Sequence, residues 1–295
     1  MTESKSFNRV ATIILTILVI IAMLPILLIV IASFSAESSL IRNGYTYWPE
    51  QWSLDAYYYM VKQSIMILRS YGVSFLVTFV GTALSVIITT MLAYPMSRKS
   101  FKYRNALAFF VFFTMLFNGG IVPSYIMWTK FFHIKNTIWA LIVPTFLMSP
   151  FNVVLVKNYF SNSISPSILE AARMDGAGVF AVFTKIVMPL SVPIMATVGL
   201  MTAIGYWNDW TNGLYYLTEN GGSQYYTIQL VLNRINENIN FLANNSDVAA
   251  KAAQQLPSTT MRMAIAVIGI LPIMCAYPFF QKYFVKGITL GGVKE

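Results

Sequence analysis

The sequence has one cysteine, Cys275, and one histidine, His133. No disulfide can form within the chain, and so sparse a donor set argues against a structural metal site. Charge is scarce as well: 11% of the residues are charged, against about 25% in a soluble domain. A glycine-rich phosphate loop ending in Gly-Lys-Ser/Thr is missing, so the chain is not expected to hydrolyse ATP. The sequence also lacks a Gly-x-Ser-x-Gly elbow and a His-Glu-x-x-His pair. No nucleophile–base pair stands out, and the chain is not read as an enzyme.

Apolar residues dominate instead, at 57% of 295, with 15% aromatic and a mean hydropathy of +0.62. A chain this apolar has too little polar surface to face water, so lipid is its solvent. Trp and Tyr collect at membrane interfaces, which fits the aromatic content. A bilayer crossing takes about 20 mostly apolar residues. Six segments qualify, at about 10–34, 71–94, 106–128, 137–159, 186–207 and 260–280. The first exceeds the apolar core of a signal peptide, usually about 7–15 residues, and reads as a retained span. The fold class expected is an all-α integral membrane protein, with residues 1–295 as a single transmembrane domain.

Charge asymmetry sets the direction of the spans. The loops on the side of the N-terminus carry 12 of the 20 basic residues and 4 of the 11 acids, a net +8. The opposite side carries 8 basic and 7 acidic residues, a net +1. Short loops rich in Lys and Arg stay in the cytoplasm, so both termini are expected there. The cluster Arg98-Lys99-Ser-Phe-Lys102-Tyr-Arg104 is such a loop, close to two spans. Its position argues against a nucleic-acid surface. Two longer segments, 35–70 and 208–259, fall outside. Ile228, Leu230, Val231 and Ile235 predict a helix over Tyr226–Ile239.

Several spans carry helix breakers. They include Asn118-Gly-Gly120 with Pro123, Pro144, Ser149-Pro150, Pro189 with Pro193, and Pro272 with Pro278. A freed backbone carbonyl in lipid costs several kcal/mol unless protein or water satisfies it. Broken helices therefore favour a transport path over a simple anchor. Mid-span Asp, Glu, Lys and Arg are missing; Asp209 and Arg262 sit at span ends. Proton- and voltage-driven machines use such groups, so energy is expected from another source.

The polar loop 161–185 between the fourth and fifth spans offers the way in. Ser165-Pro166 opens a short helix, with serine suited to capping and proline to the first turn. Ile168, Ala171, Ala172 and Asp175 follow at helical spacing, and Glu170 and Arg173 are placed to pair. Gly176 stops the helix. Glu170-Ala-Ala, then Gly176 after three residues, then Ile186 after nine more, closes on Pro189. This spacing resembles the signature loop of ABC importer permeases. The family has leucine before that proline where this chain has Met188. Phe117-Asn-Gly-Gly-Ile-Val-Pro123, Asn136-Thr-Ile-Trp-Ala-Leu-Ile-Val-Pro144, Trp207-Asn-Asp-Trp210 and Gly287-Ile-Thr-Leu-Gly-Gly-Val-Lys294 resemble the carbohydrate-uptake, maltose-type branch. Within it the chain looks most like the permeases for polysaccharides and complex oligosaccharides.

The resemblance implies a multi-pass permease in the cell membrane of a prokaryote, pseudo-symmetrically paired with a second, related permease. Two ATPase subunits would use ATP and magnesium, and an extracytoplasmic binding protein would deliver sugar. The ATPase would grip a cytoplasmic coupling helix between spans 4 and 5, through Glu170, Ala171, Ala172, Arg173, Asp175, Gly176 and Ala177. Candidates for the substrate path are Asn118, Tyr125, Asn152, Tyr206, Trp207 and Asn208, since sugars are held by aromatic faces and hydrogen-bonding side chains. Two other readings are open: an ion-coupled secondary transporter or channel subunit, and a non-transporting membrane scaffold.

Overall fold

The computed structural model describes residues 5–62, 64–244 and 258–292. The described residues are helical apart from loops and one isolated antiparallel bridge, Ser35 to Trp52. The chain forms two compact units: residues 1–67 with 232–272, and residues 68–231 with 273–295.

The first unit begins with a 29-residue helix, Lys5–Ser33. Its most apolar stretch, mean hydropathy 3.3, is unburied among the described residues. So apolar an exposed surface suits a lipid environment. Phe34 then stacks on Tyr57 with ring centroids 4.8 Å apart, and the Ser33 and Tyr57 hydroxyls lie 2.8 Å apart. The short helices Glu37–Asn43 and Asp55–Lys62 follow. Ala56, Ile239, Met261 and Ala264 make this unit's small core.

In the second unit, residues 68–97 of the 34-residue helix Ser64–Ser97 meet Pro150–Ser163 where Tyr94 faces Phe160, and Val192–Asn208 where Gly81 faces Tyr206. Their shared core includes Tyr94, Val153, Val156, Phe160, Leu169, Val182, Phe183, Val187 and Val198. The helix predicted over Tyr226–Ile239 forms as Ile228–Asn244. Thr227 caps it, its hydroxyl accepting from the Leu230 amide at 3.3 Å, while Ser74 Oγ accepts the Ile228 amide at 2.8 Å. Residues 245–257 of the outer segment 208–259, and Val293 and Lys294 of the C-terminal motif, lie outside the described residues.

Among the described residues, Phe7–Ser33 and Ile65–Ser97 are the continuous helices long and apolar enough to cross a membrane. The segment expected at 260–280 lies within the helix Ser258–Gly292. The segment expected at 106–128 is instead a bent pair, Arg104–Leu116 and Ile121–Phe131, turning by 116°. The bend falls on Asn118-Gly-Gly120, where Gly120 has φ +83° and the Asn118 side chain accepts the Gly120 amide. The expected span 137–159 is not one helix. It has a single turn, Trp139–Ile142, then irregular chain, then Pro150–Ser163. Pro144 and Pro150 have no amide to give, and the residue before a proline is pushed to extended backbone. Ser149 is extended accordingly, and its hydroxyl accepts the Asn152 amide. The expected span 186–207 starts late: Val179–Leu190 meets Val192–Asn208 at 79°, across Ser191 and ahead of Pro193.

Candidate functional site

The loop 161–185 folds as the sequence suggests. Pro166–Met174 is a nine-residue helix with proline in its first turn. Its end is a Schellman turn: the Ala177 amide donates to the Ala172 carbonyl at 2.9 Å and the Gly176 amide to Arg173 at 3.0 Å. That turn needs a left-handed residue, and Gly176 supplies φ +81°. A Cβ on Gly176 would meet nothing within 4 Å, so glycine is there for its backbone and not for space. Two local expectations fail. Ser165 occupies the cap position, but its hydroxyl pairs with the Ser167 hydroxyl at 2.8 Å instead of capping an amide. Glu170 and Arg173 form no ion pair; both line a cleft with Arg98, Arg104 and Lys157.

One side of this helix is anchored. Leu169 is 5% exposed and joins Phe160, Ile164, Val182 and Phe183 in the core, and Ala172 and Ala177 pack against it. The other side is free. Ile168, Ala171 and Met174 point outward, with Met174 88% exposed, and Val179 and Phe180 continue the surface at 64% and 72%. The two alanines thus divide: Ala171 faces out and Ala172 faces the core. A short helix held on one side with an apolar rim on the other is a knob suited to a groove in a partner. The sequence reading missed Met174, Val179 and Phe180. Nothing in periodicity told them apart from core residues.

The closing Ile186-Val-Met-Pro189 has unusual geometry too. Phe183–Val187 is a turn of π-helix, with the Met188 amide bonding the Phe183 carbonyl. Pro189 has no amide to continue an α-helical ladder, so a widened turn accommodates it.

The substrate-path candidates have dissimilar surroundings. Tyr206, 1% exposed, donates its hydroxyl to the Ile142 carbonyl at 2.7 Å and packs on Phe146. Trp207 is buried against Tyr71 and Phe75. Asn152 is buried, its amide 3.3 Å from the Thr202 hydroxyl. These three have structural partners. Asn118 and Asn208 are exposed. Tyr125 is half-buried, stacks on Tyr216 at 5.9 Å, and its hydroxyl accepts from Lys135 at 3.1 Å. Asp209, beside them, caps the helix Thr211–Tyr216 through the Thr211 and Asn212 amides. Burial raises its carboxyl above the usual range, against the opposing pull of those hydrogen bonds.

The family described as binding-protein-dependent transport system inner membrane component matches residues 79–290, a stretch that contains the whole loop 161–185, the elbow between the fourth and fifth expected spans. The chain belongs to this family. It is 38% identical to Protein LplC of Bacillus subtilis, over 93% of this chain and 90% of that protein. It is 35% identical to the polygalacturonan/rhamnogalacturonan transport system permease protein YtcP of Bacillus subtilis, over 99% of both chains. Among solved structures it matches a bacterial ABC transporter involved in the import of the acidic polysaccharide alginate. The TM-score is 0.77 at 29% identity, covering 96% of this chain and 99% of that one. The expected resemblance to sugar-transporting ABC permeases therefore holds.

Two contacts of this permease were not legible in its sequence. Gly81 lies so close to Tyr206 that a Cβ there would sit 2.5 Å from the ring. Asn136, at φ +58°, clasps Thr218: its Oδ1 accepts the Thr218 amide at 2.7 Å, and its Nδ2 donates to the Thr218 hydroxyl at 2.9 Å. Gly221 and Gly222 leave room for that amide.

Proposed function

We propose that the chain is one membrane-spanning half of an ATP-driven importer whose cargo is an oligosaccharide or polysaccharide fragment. The observation that carries this reading is the elbow Pro166–Gly176: anchored by Leu169, closed by Gly176, and edged by exposed Met174, Val179 and Phe180. A partner ATPase would seat this knob in a groove and move it as a rigid body during ATP-driven closure. Glu170, Ala171, Arg173, Asp175 and Gly176 would form the contact, while Ala172 and Ala177 would hold the motif to the core behind it; ATP and magnesium would be held by the ATPase alone. The connected helices would then rock between inward- and outward-facing states. The bends of 116° and 79° supply irregular backbone of the kind that lines such paths.

In this reading residues 1–295 form a single permease domain. It crosses the cell membrane six times with both termini in the cytoplasm, as the +8 against +1 charge asymmetry favours. Among the described residues, the bent pairs and the two long helices support crossings directly; the fourth crossing would be a broken one. A second permease would complete the path, and a binding protein would deliver the sugar. The cargo class is supported by relatives named for polygalacturonan and rhamnogalacturonan, for arabinooligosaccharides and for alginate.

The test is uptake of labelled pectin-, arabinan- and alginate-derived oligosaccharides by cells with and without this subunit. Loss of ATP-dependent uptake of one class on deletion is the expected result. Unaffected uptake would leave a scaffold. Uptake that survives ATP depletion and dissipates an ion gradient would leave a secondary transporter.

A further inference from the structure

Beside the elbow lies a cleft of about 710 Å³. Arg98, Lys99, Arg104, Lys157 and Arg173 line it, with Glu170 the lone carboxylate. Such a surplus of positive charge is ordinary on open surface, where water and salt screen it. Here Arg98 is held in place. Its guanidinium lies 4.9 Å over the Tyr94 ring, and its Nε and Nη2 atoms are out of solvent with no hydrogen-bond partner. Buried guanidinium N–H groups are normally paired. Burial lowers the proton affinity of Arg98, the Tyr94 ring opposes that, and the charge of Arg173 lowers it further. Two arginines thus repel across the cleft. The carboxylate on its wall forms no ion pair with Arg173, and Lys157 reaches only the neutral Asn158 side chain, at 3.3 Å.

We propose that this cleft binds the phosphate group of a phosphoester, with Arg98, Arg104 and Arg173 as its principal donors. The guanidinium fork matches phosphate oxygens in bidentate geometry. A phosphate offers several acceptor oxygens and up to two charges, which suits five cations better than a single protein carboxylate does. The 13-residue helix Arg104–Leu116 begins at the cleft, with Asn105 on its wall, and adds its positive end to the field. The volume falls within the range of small-molecule sites, roughly 300–1,000 Å³, and exceeds what a bare ion needs. Such a ligand ties Arg98, just past the end of a long apolar helix, to Arg173 in the elbow. It therefore stiffens the elbow against the body that the elbow must move. The proposal goes beyond the importer reading and does not depend on what is transported.

The chemistry has two sources, a phospholipid headgroup and a soluble phosphoester. Both can be tested on the full-length purified chain without ATP or sugar. Native mass spectrometry would compare retention of phosphatidylglycerol and phosphatidylcholine by the parent chain, by Arg98→Gln and by Arg104→Glu. Arg104 stands at the first turn of its helix and, unlike Arg98, is not among the side chains with buried, unpartnered atoms, so its variant keeps the test open if Arg98→Gln does not insert. Titration of lipid-free protein with glycerol 3-phosphate is the second arm. Phosphatidylglycerol retention that falls about tenfold in a variant, with phosphatidylcholine unchanged, supports a lipid source. Binding of glycerol 3-phosphate that weakens similarly supports a soluble one. Binding of neither compound, or binding equal in parent and variants, overturns the proposal. So does an ATPase subunit that shields these arginines from phenylglyoxal in phosphate-free, lipid-free complex, because a protein carboxylate would then be the occupant. A negative result leaves the importer reading intact, since uptake is measured separately.

Discussion

Glu37 holds the start of the last long helix. Its Oε1 accepts the Thr259 amide at 2.9 Å, and its Oε2 accepts both the Thr260 amide and the Thr260 hydroxyl at 2.8 Å. The first amides of a helix have no partner within it, and a carboxylate there meets the positive end of the helix dipole. A residue 223 positions earlier thus supplies the cap of Ser258–Gly292. Burial pushes the Glu37 carboxyl up, but the hydrogen bonds from Thr260 and Thr259 outweigh it and hold the group below its ordinary 4.5. A depressed carboxyl stabilises the fold above its unfolded value and stops doing so as pH falls through the folded one. The melting temperature of the purified chain should therefore drop on acidification below about 4.5. Glu37→Gln should flatten that drop and cost about 1 kcal/mol at neutral pH, as loss of a cap does. An unchanged acid slope in Glu37→Gln would remove Glu37 from the account.

Gly176→Val tests the elbow. With no atom near the missing Cβ, the cost is purely conformational, about 1–3 kcal/mol for a β-branched residue held at positive φ. The Schellman turn should open, and ATP-dependent uptake should fall while membrane insertion persists. Gly176→Asn, which tolerates that conformation better, should retain more uptake. If Gly176→Val keeps both uptake and ATPase co-purification, the coupling assignment is wrong.

The elbow was legible because its signals are local. Pro166 and Gly176 act on their own backbone, and the spacing to Pro189 survives whatever the rest of the chain does. The breakers were legible for the same reason, but their consequences were not. Nothing in Asn118-Gly-Gly120 says whether the chain kinks slightly or turns through 116°, because that depends on what the next helix packs against. The segment 137–159 read as a crossing because its apolar content is high. Composition does not register that Pro144 and Pro150 withdraw two amides within seven positions. Tyr206 and Trp207 were ambiguous in kind: an aromatic ring beside polar residues suits a sugar face as well as a core. Their burial was settled by Ile142, Phe146, Tyr71 and Phe75, all distant in sequence.

The Asn136 clasp yields a prediction that separates backbone from side chain. Asn136→Gly keeps the positive φ at no cost but removes three hydrogen bonds to Thr218. Asn136→Ala removes the bonds and adds left-handed strain of about 1 kcal/mol. Thermal melts should rank parent above Gly above Ala. Equal stability of parent and Asn136→Gly would show that the clasp contributes nothing and that asparagine is there for φ alone.

A reporter fused after Lys294 tests the topology. The 12 basic residues on the N-terminal side should hold both ends in the cytoplasm, so the fusion should read cytoplasmic. An outside signal would invert the orientation of every loop and would put the elbow beyond reach of a cytoplasmic ATPase.

In the second unit the Gly81 backbone passes so close to the Tyr206 ring that a Cβ would lie 2.5–2.8 Å from three ring atoms. Small residues at such crossings let two membrane helices come together, and there packing replaces the hydrophobic drive available in water. Tyr206 cannot retreat freely, because its hydroxyl is bonded to the Ile142 carbonyl. Gly81→Ala should therefore force the ring off that carbonyl and destabilise the fold by about 1–3 kcal/mol, the usual range for overpacking. Tyr206→Phe alone should cost about 1–2 kcal/mol by leaving the carbonyl unpaired. Combined, the two changes should cost less than their sum, since a ring already free of its hydrogen bond can shift to admit the methyl group. A double-mutant cycle on thermal or denaturant stability measures that coupling. Strict additivity would mean that the ring is not held by Ile142, and the tight crossing would then need another explanation.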